Sequence, residues 1–432
     1  MFNPVPRQIY HFSLYLLLLS AIFSGCSRSD DISYPSECTD TIGCVDLKRE
    51  EPFKIGVLQA LSGDVAPLGQ EQIRGLELAM EKWNSQIFNH PILLQIEDTG
   101  CTPEGGANAA LKVIADPETV AIFGTTCSAA ASTASNAMSR AGLTMISGNN
   151  SAPFLTSIGG KAAPFWYPGY FRTASNEEHS GRAAALFGWY KLKVKKVATV
   201  NDGDIYTRGL TDGFIKSFEE LGGEIVLNGS INKGDSQMGP ILEAVKLSGA
   251  ELIFFPLFQP EGNQLLLQAR KISGLEDIIF MSDGALIENS FIRNVKYAAK
   301  GIYFVGPASQ SGSSISNLAM AYTRKYGESP STSYYLNAFD AAELLFRAIK
   351  AASVVESRLG TLRIGRQALR DEMYRTKGVD GVTGQLNCDQ FGDCAFPAFN
   401  VLRLDDPDGG VEALEANVVF YYKPDSIAPL LP

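Results

Sequence analysis

The chain has 432 residues, 45% of them hydrophobic and 19% charged, and a formal net charge of -10. That length exceeds one ordinary core, so two lobes are expected, and the composition is globular rather than disordered or fibrous. The acidic balance argues against nucleic-acid binding, which needs a basic face to displace counterions.

At the N-terminus, Arg7 precedes an apolar, leucine-rich run over 12–23. The run is too short to span a bilayer comfortably and small residues follow it, so 1–25 reads as a secretory signal peptide. Ala21-Ile22-Phe23-Ser24-Gly25-Cys26 resembles the lipobox of bacterial lipoproteins, with Phe23 where Leu is usual. The resemblance implies lipidation at Cys26, and 26–52 then serves as a tether to a membrane. A plain secretory signal is the alternative. Of the 7 cysteines, those other than Cys26 form an even set. In an exported chain an even set reads as disulfides, and local pairing as Cys38–Cys44, Cys101–Cys127 and Cys388–Cys394 is expected among several connectivities. Zinc is the alternative, but no CxxC spacing occurs and the chain has 3 histidines. No metal and no cofactor is expected.

From residue 53 onward, strand and helix signals alternate. Runs at 53–58, 91–98, 120–124 and 143–147 read as strands. Between them, apolar residues at Ile73, Leu76, Met80, Trp83 and Ile87 have helical spacing, 105–114 reads as a second helix, and an alanine- and serine-rich helix starts at about Ser128. The alternation restarts with strands at 194–201, 224–229, 251–257, 278–281 and 301–305 and a helix over 206–221. Helical stretches follow at 333–355 and 364–377. The tail over 381–422 is β-rich, with a turn at Pro407-Asp408-Gly409. The pattern predicts an α/β protein of two doubly wound, Rossmann-like lobes with largely parallel sheets. The expected division is 53–170 for lobe 1, 171–305 for lobe 2, 306–378 as a return to lobe 1, and 379–432 as C-terminal strands mainly in lobe 2.

Ligands of open α/β sheets sit beyond the carboxyl ends of the strands, so residues just after strands are the candidates. Ser128 opens a helix directly after a strand, where free N–H groups and partial positive charge favour a carboxylate. A plain helix cap is the alternative there, and Ser151 invites the same comparison. Asp283, before Gly284, suits an ammonium group or an Asx turn. Tyr206 offers a ring and hydroxyl to a cleft or packs at a helix start, and Glu177 and Glu178 cap the helix near His179. Nucleophile-elbow, dinucleotide and P-loop motifs do not occur. Cys127 or Ser128 as a hydrolase nucleophile is a weaker reading, because Cys101 offers Cys127 a disulfide partner.

Taken in order, several segments resemble the leucine/isoleucine/valine-binding family of periplasmic solute receptors, over nearly the whole chain from Phe53. They are Ile55-Gly56-Val57 to Ser62-Gly63 with Gly69 and Arg74-Gly75, Glu97 to Cys101, Gly124 to Ser128, and Met145 to Pro153. Phe171-Arg172-Thr173, Tyr206 to Gly213, Phe280 to Gly284 and Gly384 to Gly392 continue the series. The resemblance implies a periplasmic-binding-protein type I fold with a three-stranded hinge. It further implies capture of an amino acid or small amide by lobe closure, and delivery of that ligand to an ABC permease by a monomeric receptor. A sensing component built on the same fold is the alternative. Carried over by position, Ser128 and Ser151 bind the α-carboxylate, with Asn149 and Asn150 lining the same loop, and Asp283 binds the α-ammonium where the family commonly has Glu. Tyr206, Phe258 and Gln259 form the second-lobe wall, Glu177 lies near the rim, and Leu68 stands where the family often has an aromatic residue. The segment Gly159 to Tyr170 looks like an insertion that either adds aromatic walls to the cleft or packs on a lobe.

Overall fold

The computed structural model describes Met1, 37–308, 312–356 and 361–424. The apolar run at 12–23 and Cys26 lie outside the described residues. Among the described residues no helix is long and apolar enough to cross a membrane.

Two helix-flanked sheets carry the architecture. The first runs Gln86–Ile87, His90–Asp98, Phe53–Gln59, Thr119–Gly124, Thr144–Ser147, Tyr170–Arg172. Its neighbours are parallel except for the short edge pair. Thr119–Gly124 is buried at every position, as a central strand covered on both faces must be. The second sheet runs Glu224–Ser230, Lys196–Asn201, Leu252–Phe254, Ile279–Asp283, Tyr303–Pro307, Phe399–Arg403, Val418–Tyr422. Its first five strands are parallel and its last two antiparallel. Edge strand Gln86–Ile87 apart, the first strand of each sheet lies between the second and third. That reversal of order opens a crevice at the carboxyl ends. Both sheets thus have the doubly wound order the alternation predicts.

Helix boundaries follow local chemistry. Thr102 caps helix Pro103–Ile114 by accepting a hydrogen bond from Gly105 N at 3.0 Å, and Pro103 and Glu104 occupy the first turn. A proline there loses no intrahelical bond and an acid opposes the helix dipole. The spacing up to Ile87 predicts a longer helix than the observed Ala66–Lys82. Asn84 and Ser85 take φ of 52° and 53°, which no helix continues through, and Ile87 enters the short edge strand. Helix Tyr334–Ala352 packs along Ala66–Lys82 in the first core with Leu345, Phe346 and Ile349 fully buried. Each such side chain contributes about 1.5–3 kcal/mol of burial. A Cβ at Gly75 would lie 2.4 Å from Tyr335 O, so only glycine permits this approach.

Four expectations change. Cys44–Leu47, inside the stretch read as tether, pairs antiparallel with Thr361–Gly365, which also pairs with Ser353–Glu356. The β-branched Val354 and Val355 and the apolar alternation at Leu362 and Ile364 favour strand over the helix expected there. Leu386, Cys388 and Cys394 belong to the first core. The carboxylate of Asp340 holds the hairpin of Val379–Gly381 and Gly384–Leu386 to the first lobe, accepting from Val382 N and Thr383 N at 2.8 Å each, so the tail reaches the second sheet only at Phe399. Finally, Pro407–Gly409 leads into a short helix, Gly410–Ala416, rather than straight into a strand.

Three connections join the bodies built on the two sheets: after Arg172, after Pro307 and before Phe399. Arg172 is fully buried at this hinge. Its Nε donates to Asp393 Oδ1 at 2.5 Å, Nη1 to Ala152 O at 2.8 Å and Nη2 to Thr156 Oγ1 at 2.5 Å. A buried guanidinium needs this full set of acceptors. Disulfides join Cys101 to Cys127 and, beside Asp393, Cys388 to Cys394; Cys38 and Cys44 are disulfide-bonded as well.

Candidate functional site

Residues beyond the strand ends of both sheets line one small cavity. The first body contributes Leu68, Thr126, Ser128, Asn149 and Ser151; the second contributes Tyr206, Phe258 and Ala285, and Tyr334 comes from the returning helix. The cavity measures about 20 Å³, room for about one water molecule. The two bodies are therefore closed upon it, and a guest larger than water enters only when they part.

On the first body, Ser128 begins helix Ser128–Arg140, behind strand Thr119–Gly124. The disulfide from Cys101 fixes the preceding residue, Cys127. Ser128 Oγ accepts from Ala152 N at 3.2 Å, which orients the hydroxyl so that its proton can be donated. With the free N–H groups of the first helical turn, this corner is built to receive an anion. Asn149 Nδ2 donates to Thr126 O at 2.9 Å, while its Oδ1 is buried without a partner. Thr126 Oγ1 donates to Gln59 Oε1 at 2.7 Å and accepts from Ala60 N at 2.9 Å, so that threonine shapes the wall more than it offers a donor.

Opposite stands an acidic corner. Tyr206 begins helix Ile205–Glu220, where the Asp204 carboxylate accepts its N–H at 2.9 Å. Its ring lies 5.1 Å from that of Phe258, and its hydroxyl donates to Asp283 Oδ2. Asp283 ends strand Ile279–Asp283 and is fully buried. Burial pushes its carboxyl up to about 7, against the stabilising hydrogen bonds from Tyr206 and Ala285 N. Asp283 thus reaches the cavity through the Tyr206 hydroxyl that stands in front of it. Glu177 is 1% exposed, with the hydroxyls of Ser151 and Tyr206 beside it. Burial first, and the Asp283 charge second, raise its carboxyl well above the usual range.

Four of the sequence-derived candidates, Asn150, Gln259, Asp283 and Glu177, do not line the cavity. The Asn150 side chain is scaffolding: its Oδ1 accepts from Thr125 N at 3.0 Å, the Thr125 hydroxyl at 3.2 Å and the Tyr170 hydroxyl at 3.2 Å. Gln259 turns toward helix Asn289–Val295, donating to Glu288 Oε2 at 2.9 Å and Ser290 Oγ at 2.7 Å and accepting from Asn263 Nδ2 at 2.9 Å. Glu177 is no rim residue but lies deep in the hinge. The segment Gly159 to Tyr170 packs on the protein rather than lining the cavity: Trp166 meets Phe391 edge-on, Phe165 backs the second core and Tyr170 is fully buried in it. Gly159 and Gly160 face a groove of about 820 Å³ whose walls include Phe154, His179 and Asp212 and none of the predicted ligand residues.

The sequence missed Tyr334, Thr126 and Ala285. Tyr334 heads a helix far along the chain, and no linear spacing ties it to the crevice. Gly284 carried the one available signal. A Cβ there would lie 2.6 Å from the Tyr334 hydroxyl, so the glycine admits the tyrosine. The nucleophile reading loses its parts: Cys127 is bonded to Cys101. His90 Nδ1 meets Glu51 O at 2.7 Å and His179 Nδ1 meets the Tyr422 hydroxyl at 3.4 Å, both away from Ser128.

Known proteins resemble the chain over most of its length. The Leu/Ile/Val-binding protein BraC3 of Rhizobium johnstonii is 26% identical over 81% of this chain and 91% of its own. A leucine-, isoleucine-, valine-, threonine- and alanine-binding protein of Pseudomonas aeruginosa is 25% identical over 87% and 92%. Among solved structures, a leucine-binding protein of Thermotoga maritima superimposes with a TM-score of 0.73 at 22% identity, covering 86% of this chain and 99% of that one. A solute-binding protein of Rhodopseudomonas palustris HaA2 in complex with p-hydroxybenzoic acid reaches 0.72 at 18% identity, covering 88% and 99%. The model of the periplasmic binding protein family matches residues 52–396, and the chain belongs to that family.

Proposed function

We propose that this protein captures a small zwitterionic amino acid between its lobes and presents it to an ABC permease. The observation that carries the reading is the polarity around the cavity: Ser128 and Ser151 line it as an anion corner on one lobe, and Tyr206 lines it on the other with Asp283 behind its hydroxyl. A buried zwitterion requires both charges compensated. Benzoate-type ligands of structural neighbours carry the carboxylate but no cation to set against Asp283, which argues for the amino acids named in other relatives. Leu68, Phe258 and Ala285 supply an apolar wall, suited to a small aliphatic side chain. The lobes of the proposal are those of the two sheets, hinged at Arg172. Ligand contacts to both favour closure. A thermal-shift screen tests the reading: aliphatic L-amino acids should stabilise the protein and benzoates should not, and the reverse order would overturn it.

We also propose that the protein works outside the cytoplasm as a monomer, held to a membrane by lipid on Cys26. Cys26→Ser should move it from the membrane to the soluble fraction; unchanged retention would refute the anchor.

A further inference from the structure

The two charges of a zwitterion leave two polar groups of the cavity wall unused. Asn149 and Tyr334 both line the cavity. Asn149 Nδ2 donates to Thr126 O at 2.9 Å, and because a carbonyl can only accept, this contact fixes which way the amide faces. Its Oδ1 is then a bare acceptor, buried and with no partner among the described residues. A carboxylate cannot serve it, since neither group brings a proton. Tyr334 begins helix Tyr334–Ala352 and gives its N–H to Thr332 Oγ1 at 3.2 Å. Its hydroxyl lies near the buried acids Glu177 and Asp283 and, among the described residues, makes no hydrogen bond to either. Both groups come from the first body, where backbone packing brings their segments together. Gly148, next to Asn149, is pressed against the helix: a Cβ there would lie 2.6 Å from Ala338 N, and Ala338 stands one turn on from Tyr334 along the same face. Gln72 ties the two segments, since its Nε2 donates to Tyr334 O at 3.0 Å and its Oε1 would lie 2.5 Å from that Cβ.

An unpaired acceptor and an unpaired hydroxyl on one wall call for a guest group that both donates and accepts. An alcohol does so with a single oxygen, giving its proton to Asn149 Oδ1 and accepting that of Tyr334. An alkyl group in the same place would leave both wall groups buried and unpaired, and a site built this way rejects such a guest. A carboxamide offers the same pair only through a longer side chain, which the small cavity disfavours. We infer that the site selects a small hydroxyl-bearing amino acid, with Asn149 and Tyr334 reading the hydroxyl. L-Threonine fits this description best, because its methyl still meets the apolar wall of Leu68, Phe258 and Ala285. The inference rests on the zwitterion reading of the same site and narrows the side chain.

The test is calorimetric titration of the wild-type protein with L-threonine and L-valine, which share a shape and differ by a hydroxyl for a methyl. L-Threonine should bind at least about tenfold more tightly than L-valine, and more tightly than L-asparagine. Tyr334→Phe keeps the ring and removes the hydroxyl. It should bring the threonine and valine Kd values within about threefold of each other, by weakening threonine rather than valine. Asn149→Leu should do the same, with an unchanged melting temperature showing that its loop still folds. A wild-type advantage of threonine over valine below about threefold, tighter binding of asparagine, or a threonine preference that survives in Tyr334→Phe would overturn the inference while leaving the zwitterion reading intact. Failure of every L-amino acid to bind would instead remove the reading on which it rests.

Discussion

The Tyr206 hydroxyl donates to Asp283 Oδ2, closing a buried contact between the start of one helix and the tip of a strand in the same lobe. The ring of Tyr206 lines the cavity while Asp283 stands behind it, so the acid's field is delivered to the ligand through a phenol. Removing that hydroxyl leaves a buried carboxylate short of a donor. Tyr206→Phe should weaken amino-acid binding by about ten- to hundredfold, corresponding to about 1.5–3 kcal/mol for a hydrogen bond to a charged group. Calorimetry measures the loss, and an unchanged Kd would place Asp283 outside the site's electrostatics.

The same acid makes the ligand-free protein sensitive to pH. Burial raises its folded value to about 7, whereas the unfolded chain titrates it near 4. Between those values the folded state holds a proton that the unfolded state has lost, so stability is highest at the acid end and falls as pH rises through about 7. Asp283→Asn removes this dependence. Its ligand-free melting temperature at pH 8 should exceed that of wild type by a few degrees, with binding abolished. A variant less stable than wild type at pH 8 would contradict the assignment.

Gly284 separates this corner from Tyr334. A methyl group there would meet the tyrosine hydroxyl at 2.6 Å, closer than any ordinary contact, so Gly284→Ala should displace Tyr334. Fold and disulfides should survive, with melting temperature lowered by a few degrees and amino-acid affinity reduced by at least about tenfold. Full affinity would show that Tyr334 does not form part of the ligand's wall.

The Cys101–Cys127 disulfide spans 26 residues and fixes the residue before Ser128. Replacing both cysteines with serine should cost roughly 3 kcal/mol of stability, read as a fall in denaturant midpoint. It should also weaken the anion corner, seen as a higher Kd in the refolded protein. A variant matching wild type in both would make this bridge incidental.

Much of this was legible in the chain because the signals were local. Strand–helix alternation gave the two wound sheets, and positions just after strands gave Ser128, Asn149, Ser151, Tyr206, Phe258 and Asp283. What escaped depended on side-chain direction or on distant segments. Asn150 and Gln259 sit at the right sequence positions, yet Asn150 Oδ1 is held by Thr125 N and Gln259 Nε2 by Glu288, because neighbours in a loop turn to opposite sides of the backbone. Tyr334 is brought in by a helix 51 residues beyond Asp283, and nothing local marks it. Glu177 looked like a helix cap, and only the packing of Ser151 over it shows how deeply it lies.

The requirement for both charges on one ligand can be measured directly by titrating the wild-type protein with L-leucine, with the amine lacking its carboxylate and with the acid lacking its ammonium. The amino acid should bind, and each singly charged analogue should bind at least about a hundredfold more weakly, since each leaves one buried corner uncompensated. Equal binding of the acid alone would contradict the account.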